Sequence, residues 1–426
     1  MKKTFTKKLF LFALLLLAFS EFFLSTEDFL LKNNKHTLTA MAANATHNLQ
    51  SDSSLSEKRD VAKTEKKKDA QEETIPEIIK EYNELTKSTT NNDEISALIQ
   101  SMTLEEKVGQ LFIIGHWTED NFYHTSNLLR AYNFGGVIIM KISNNNVASV
   151  PTWIDHWQKS SALSKPLIAI DQEGGVVTRI RASGYIQQSQ RDLLSPEQAY
   201  SVGLIRGKEL SNLGITMNLA PVLDTNYKTD SFLYNRSFSY KQDTTEYANK
   251  LIQGMKQSGI SSVLKHYPGH YDSSADSHVT LPIVPIKNEE YMDYTKYFNE
   301  VIKTGNPLAI MTAHVLIPNI DPSFPATLSK EIITQKLRKE VGFSGVIITD
   351  DMNMGAITNH WTSADASVYA LRAGVDMLLF ASKPNEAINA YHAVLNAIKE
   401  GILTERKIDE SLERVLSLKN ETRAAE

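Results

Sequence analysis

Eight short apolar or β-branched runs alternate with longer amphipathic segments over about 330 residues, and this alternation predicts an α/β fold built as a single (β/α)8 TIM-type barrel. Runs buried on both faces and separated by helices belong to a parallel sheet. A second observation is that polar and ionisable residues gather where these runs end. Asp171 follows the third, Asn218 lies in and Asp224 beyond the fourth, Lys265 and His266 follow the fifth, His314 the sixth, and Asp350 and Asp351 the seventh. In a barrel those C-terminal ends converge on one mouth. Third, Ile114-Gly115-His116-Trp117 after the first run is not the glycine-rich phosphate turn that a doubly wound open sheet usually carries there.

The expected strands are Gln110 to Ile114, Gly136 to Met140, Leu167 to Ile170, Thr216 to Ala220, Ser262 to Leu264, Leu308 to Thr312, Gly345 to Thr349 and Asp376 to Phe380. Helical patterns run from Pro196 to Leu213, Thr244 to Ser258, Asn288 to Thr304, Ser329 to Val341, Ser363 to Ala373 and Pro384 to Glu400.

Ahead of the barrel, Lys2, Lys3, Lys7 and Lys8 precede an apolar stretch from Leu9 to Phe19, the order of a secretory leader. Even Leu9 to Leu24 is short for the roughly 20 residues of a spanning helix, which favours a cleaved signal peptide over an anchor. The nearest small-x-small site, Ala40-Met41-Ala42, is far downstream, so an uncleaved membrane tether stays open. Export is the expectation, with the folded part secreted, wall-associated or held on the outer side. Residues 1–45 are the signal or anchor region, 46–92 a flexible charged spacer around the run Glu65 to Glu73, and 93–426 the barrel domain.

Composition narrows the chemistry. With 45 Lys+Arg against 50 Asp+Glu, the net charge of −5 offers no basic field for a nucleic acid. There is no cysteine, which removes disulfides, thiolate zinc sites and a cysteine nucleophile.

The segment Lys265 to His278 packs three histidines, two aspartates and a lysine around a Pro-Gly turn, a density that packing does not require. Asp276, two residues before His278, can orient its imidazole as a general acid and base, while His270 braces the turn. His266, His270, Asp276 and His278 could also be read as metal ligands. Against that, Pro268-Gly269 breaks the helix an i, i+4 histidine pair would share, and Lys265 repels a cation. Val346 to Thr349 is a buried strand that delivers Asp350 to the mouth, where a carboxylate can attack an anomeric carbon. Asp351 is expected to cap the segment that follows.

Taken in order, Ser101-Met102-Thr103-Leu104-Glu105-Glu106-Lys107-Val108-Gly109-Gln110, Ile170-Asp171-Gln172-Glu173-Gly174-Gly175 with Arg179, Asn218 to Asp224, Asn235-Arg236-Ser237-Phe238, Lys265 to His270, Asp276-Ser277-His278, Met311-Thr312-Ala313-His314 and Thr349-Asp350-Asp351-Met352 form a set. This set resembles family 3 glycoside hydrolases of the bacterial β-N-acetylhexosaminidase (β-N-acetylglucosaminidase) type, over about residues 93 to 420. The resemblance implies a barrel that removes terminal non-reducing β-linked N-acetylglucosamine with retention, and with neither metal nor organic cofactor. It implies Asp350 as nucleophile and His278, oriented by Asp276, as mobile acid/base. It also implies Asp171, Arg179, Arg236, Lys265 and His266 around the sugar hydroxyls and N-acetyl group. The expected partner is an N-acetylglucosamine-terminated glycan, such as a peptidoglycan-derived muropeptide. A β-glucosidase or β-xylosidase on the same fold, a surface carbohydrate-binding protein without turnover, and phosphate in place of water as acceptor are the competing readings.

Two departures from the family pattern stand out. Tyr271 occupies a position that is usually Gly, and the second sandwich domain of many β-glucosidases has no counterpart in the sequence, so the catalytic groups are expected from one domain or a neighbouring subunit.

Overall fold

The computed structural model describes residues 92–423, apart from 118–121, 162, 226–227 and 271–274. The expected leader, nearly all of the spacer and Tyr271 lie outside the described residues. Among the described residues, no helix is long and apolar enough to cross a membrane.

Eight strands close into a barrel: β1 (Phe112–His116), β2 (Gly136–Ile139), β3 (Leu167–Ile170), β6 (Met217–Asn218), β7 (Ser261–Tyr267), β8 (Ala309–Thr312), β9 (Val346–Asp351) and β10 (Met377–Phe380). Their spatial order is β1-β10-β9-β8-β7-β6-β3-β2. Neighbours pair in parallel, and Phe112 opposite Leu378 closes the ring. Closure leaves no unpaired sheet edge. Every residue of β1, β2, β3 and β10 is buried, which is why these segments read as continuous apolar runs rather than alternating ones.

The expected strand positions hold, with shifted ends. β7 and β9 extend past their apolar runs, so Lys265, His266 and Asp350 belong to the strands themselves. One element was not expected: Gln172–Gly174 (β4) and Val177–Thr178 (β5) form a small antiparallel hairpin at the mouth. The anticipated helix from Asn288 to Thr304 is interrupted between Tyr291–Tyr294 and Lys296–Gly305. At the break, the Thr295 hydroxyl donates to the Tyr291 carbonyl at 2.9 Å and competes with the helix for it.

The C-terminal helix Glu405–Arg423 seals the end of the barrel opposite the mouth. Lys419 donates to Gln110 just ahead of β1 at 2.7 Å. Ahead of β10, buried Asp376 accepts from Ser411 at 2.9 Å, from Arg414 Nε and Nη2 at 3.0 and 2.8 Å, from the Ile347 amide at 2.8 Å and from Arg338. A buried carboxylate is tolerable only with such company, and removing it strands two cations and an amide. Asp376→Ala is therefore expected to cost roughly 3–5 kcal/mol of stability in urea unfolding; a loss under 1 kcal/mol would contradict this account.

Candidate active site

The floor of the mouth is a lattice of charges. Asp171, just past β3, accepts from Arg179 at 2.9 Å and from Lys265 at 2.8 Å. Glu173, on the hairpin, takes Arg236 through two bonds of 3.0 and 2.9 Å, and Lys265 at 2.6 Å. A two-pronged guanidinium–carboxylate contact fixes orientation as well as distance. Burial pushes both carboxyls up, but Lys265 and Arg179 more than offset it and hold Asp171 far below the usual carboxylate range. Arg236 and Lys265 lower Glu173 in the same way. Both stay ionised at neutral pH.

The hairpin presents Glu173 because its own amides are satisfied. The Gln172 side chain accepts from the Arg179 and Ile180 amides at 2.9 and 3.0 Å. Asn218, at the end of β6, exchanges bonds with the Gln172 main chain at 2.9 and 3.0 Å, imitating a strand partner. Gly174 has a φ of +89°, and a Cβ there would lie 2.0 Å from the Gln188 carbonyl oxygen, so the turn requires glycine.

Asp224 organises the exit of β7. One carboxylate oxygen accepts the His266 amide at 2.8 Å and its ring Nδ1 at 2.7 Å; the other accepts the His270 amide and ring Nδ1, each at 2.8 Å. An ionised carboxylate only accepts, so both rings carry a proton on Nδ1. Burial lowers the His266 pKa, against the pull of Asp224. A neutral ring then exposes an acceptor at Nε2, which lies 3.4 Å from Arg236 and 4.0 Å from the nearer Asp350 oxygen. Asp224, His266 and His270 bring ligand-type atoms within 4.8 Å of one another, although each Nδ1 is already engaged as a donor. Of the four residues considered as metal ligands from sequence, only His266 and His270 belong to this group, which rests on Asp224 instead of Asp276 and His278.

Asp350, the penultimate residue of β9, has its side chain 17% exposed. Burial raises its pKa, and His266, His314 and the Asp351 amide at 2.7 Å outweigh that and bring it below the usual value. Asp351 does not cap a helix, as was expected. It accepts from the Asn353 and Ala381 amides at 3.1 and 3.0 Å, and from the amide of Ser382 at 3.0 Å and its hydroxyl, so it ties the exit of β9 to that of β10. A capping motif and a cross-strand tie share the same Thr-Asp-Asp sequence, and only the neighbouring strand distinguishes them.

The Asp276–His278 pair lies on the loop after β7. Asp276 accepts the His278 amide at 2.9 Å and its Nδ1 at 2.6 Å. The loop is pinned at Ser277, whose hydroxyl meets His270 Nε2 at 3.2 Å, and at the Ser277 and His278 carbonyls, which accept the Ala356 and Gly355 amides at 3.1 and 2.9 Å. The His278 side chain is nevertheless 61% exposed. His278, Asp350, Asp171, Arg179, Arg236, Lys265 and His266 all line one cavity of about 420 Å³. Asp276 stands behind it, touching His278. Sequence reasoning left Glu173 without a role despite the Asp-Gln-Glu-Gly-Gly run, because its partners are 63 and 92 residues away in the chain.

His314 supports the end of β9 from behind. Its Nε2 faces the Asp351 carbonyl at 3.1 Å and must donate, and its Nδ1 lies 2.8 Å from the Thr327 hydroxyl, which is also 2.9 Å from the Ala313 carbonyl. Burial drops its pKa from 6.5 to about 4, against the pull of the Asp350 charge. Below pH 6.5 the unfolded chain binds a proton that the fold refuses until about pH 4, so this contribution to stability is present above 6.5 and lost as pH falls. The loss across the window is up to about 3 kcal/mol. Urea unfolding between pH 7 and 4.5 should decline less steeply for His314→Gln than for the wild type; equal slopes would show that His314 is not the group refused.

Residues 103–418 match the family model described as "Glycosyl hydrolase family 3 N terminal domain". The chain is 33% identical over 325 residues to "Beta-hexosaminidase A" of Pseudoalteromonas piscicida, covering 69% of this chain and 54% of that protein. It is 35% identical over 270 residues to a "Beta-hexosaminidase" of Nitrosomonas eutropha, covering 59% of this chain and 75% of the relative. A solved family 3 β-N-acetylglucosaminidase from Paenibacillus superposes with a TM-score of 0.70 at 33% identity, over 76% of this chain and 63% of that one. The chain thus spans only about half the length of the first of these relatives. The matched span takes in the eight-stranded barrel and each of the cavity-lining residues above, and the chain belongs to glycosyl hydrolase family 3.

Proposed function

We propose that residues 93–426 form the catalytic domain of a retaining exo-β-N-acetylglucosaminidase that hydrolyses terminal N-acetylglucosamine, with peptidoglycan-derived muropeptides as the natural class of glycan. The observation that carries this reading is that one cavity is lined by an ionised carboxylate on a rigid strand and by an imidazole held through Nδ1 on a loop. A cavity of about 420 Å³ sits toward the small end of the roughly 300–1,000 Å³ of small-molecule sites and suits one sugar residue. The names of the relatives support the choice of sugar.

In the first step an Asp350 oxygen bonds to the anomeric carbon while the bond to the leaving oxygen breaks, and that oxygen takes the Nε2 proton of protonated His278. In the second, water attacks the same carbon and gives its proton to His278, and the bond to Asp350 breaks. Asp276 holds the ring by its other nitrogen throughout. Asp171, Arg179, Arg236, Lys265 and His266 bind the hydroxyls and the N-acetyl group: the carboxylate and the neutral His266 Nε2 accept, and the cations donate. Residues 1–45 act as the export leader or tether and 46–92 as a spacer that lets the domain reach wall-derived glycan outside the cell. Immunodetection of the protein only in the cytoplasmic fraction would overturn that part.

A panel of aryl glycosides should give turnover on the N-acetylglucosaminide well above the glucoside and xyloside, without phosphorolysis products in phosphate buffer. Asp350→Asn is expected to lower kcat/KM by roughly 10⁴-fold or more. Unaltered turnover by this variant would sink the mechanism. His278→Ala should lose roughly 10²–10⁴-fold on aglycones that need protonation.

A further inference from the structure

The loop 228–240 after β6 carries Arg236, but it also projects an aromatic ring into the same cavity. Its turn is held by buried Leu233, whose carbonyl accepts the Arg236 and Ser237 amides at 2.9 and 2.8 Å. Phe232, half-buried beside this anchor, lines the cavity. Its ring stands perpendicular to His278 at 6.1 Å and 85°, and to His270 at 5.4 Å and 89°. The Arg236 guanidinium lies 5.8 Å from the same ring centre. Edge-to-face separations of roughly 4.5–7 Å are attractive, because the negative face of one ring meets the positive edge of the other.

We propose that Phe232 is a positioning residue for His278, setting where the imidazole sits over the glycosidic bond; this rests on the acid/base role proposed above. The bonds already described fix the backbone of the loop and one ring nitrogen. They leave a side chain that is 61% exposed, with open solvent where a wall is needed. Among the described residues, Phe232 is the aromatic ring in contact with His278. It is attached to the turn that places Arg236, so the acid is referenced to the sugar floor through a single loop. His270 is fixed by Asp224 and bonds Ser277, so Phe232 bridges the rigid histidine and the exposed one.

The test compares kcat/KM for two aryl N-acetylglucosaminides, 2,4-dinitrophenyl and 4-methylphenyl. The first leaving group departs without protonation and the second does not. Phe232→Ala should lose about tenfold or more on the 4-methylphenyl substrate and less than about threefold on the 2,4-dinitrophenyl substrate, a fraction of the effect of removing the acid outright. Phe232→Tyr, which keeps the ring, should restore most of the loss. Equal losses on both substrates would mean that Phe232 supports folding or aglycone binding, and would overturn the inference while leaving the glycosidase reading intact, as would no loss on either. Absence of turnover by the wild type on both substrates would overturn the two together. Should Phe232→Ala fail to fold, Phe232→Leu, which fills the space without a quadrupole, replaces it in the same comparison, with the same outcomes supporting or overturning the inference.

Discussion

The mouth of this barrel depends on one carboxylate, Asp224, and the four N–H groups it accepts. Two belong to the backbone and two to imidazoles, and all come from the five residues His266 to His270. Burial alone would drive Asp224 toward the neutral acid, but the two histidines hold it well below the usual range. With its charge in place, the chain leaving β7 must wrap around it. Lys265 then points at Asp171 and Glu173, His266 is fixed as a tautomer with Nε2 available, and His270 is turned to meet Ser277 on the way to His278. A neutral isostere could accept some of these bonds, but it would leave buried donors without the charge that orders them.

The two adjacent aspartates at the end of β9 show how the same neighbourhood separates two chemistries. Successive side chains of a strand point to opposite faces, and here the faces differ in what they offer. Asp350 meets His266, His314 and a single amide, and is brought below its ordinary value. Burial pushes Asp351 up, and its bonds to Ser382, Asn353 and Ala381 do not fully offset this, with the Asp350 charge adding to the rise. Pairs of titratable groups driven apart in this way mark a division of roles. One carboxylate is left ionised with a face on the cavity, while the other is spent on joining two strands. The end of the barrel that carries stability is the opposite one, where Asp376 and the C-terminal helix lie, so changes at the mouth need not disturb the closure of the sheet.

The barrel was legible in the sequence because strands buried on both faces are mostly apolar, as β2, β3 and β10 are throughout, and because such runs alternate with helical patterns. What was hidden had other causes. Lys265 and His266 look like the start of a loop, because a buried lysine is improbable in a strand until Asp171 and Glu173 are seen around it. The β4–β5 hairpin has little apolar content; it is held by the Gln172 side chain and by Asn218, bonds between residues up to 46 apart that leave no periodic trace. The residues of the site were readable as types gathered at strand ends. Their pairing was not, because which cation meets which carboxylate is decided by the closure of the barrel. Phe232 falls in the same class: an aromatic residue in a loop of mixed composition acquires meaning only from the two imidazoles it faces.

The contrast in exposure between the proposed nucleophile and the proposed acid/base follows from the order of events. As the proposed nucleophile, Asp350 would bond to one carbon from one direction, and a strand end with 17% side-chain exposure, braced by His314 through the next carbonyl, suits a group that must not move. In the proposed mechanism His278 works differently, delivering a proton to the departing oxygen and then taking one from a water that occupies the space the aglycone has left. Leaving group and water differ in size and approach through the open side of the cavity, so the group that serves both has to lie on that side and tolerate some displacement. An imidazole on a loop pinned by backbone carbonyls can do this, since its anchor points at Gly355 and Ala356 stay fixed while the ring adjusts. Freedom of that kind is useful only if it is bounded. The Asp276 bond limits rotation of the ring, and an aromatic wall on the neighbouring loop limits how far it can swing, so the proton stays within reach of a bond whose position is set by the charge lattice beneath it.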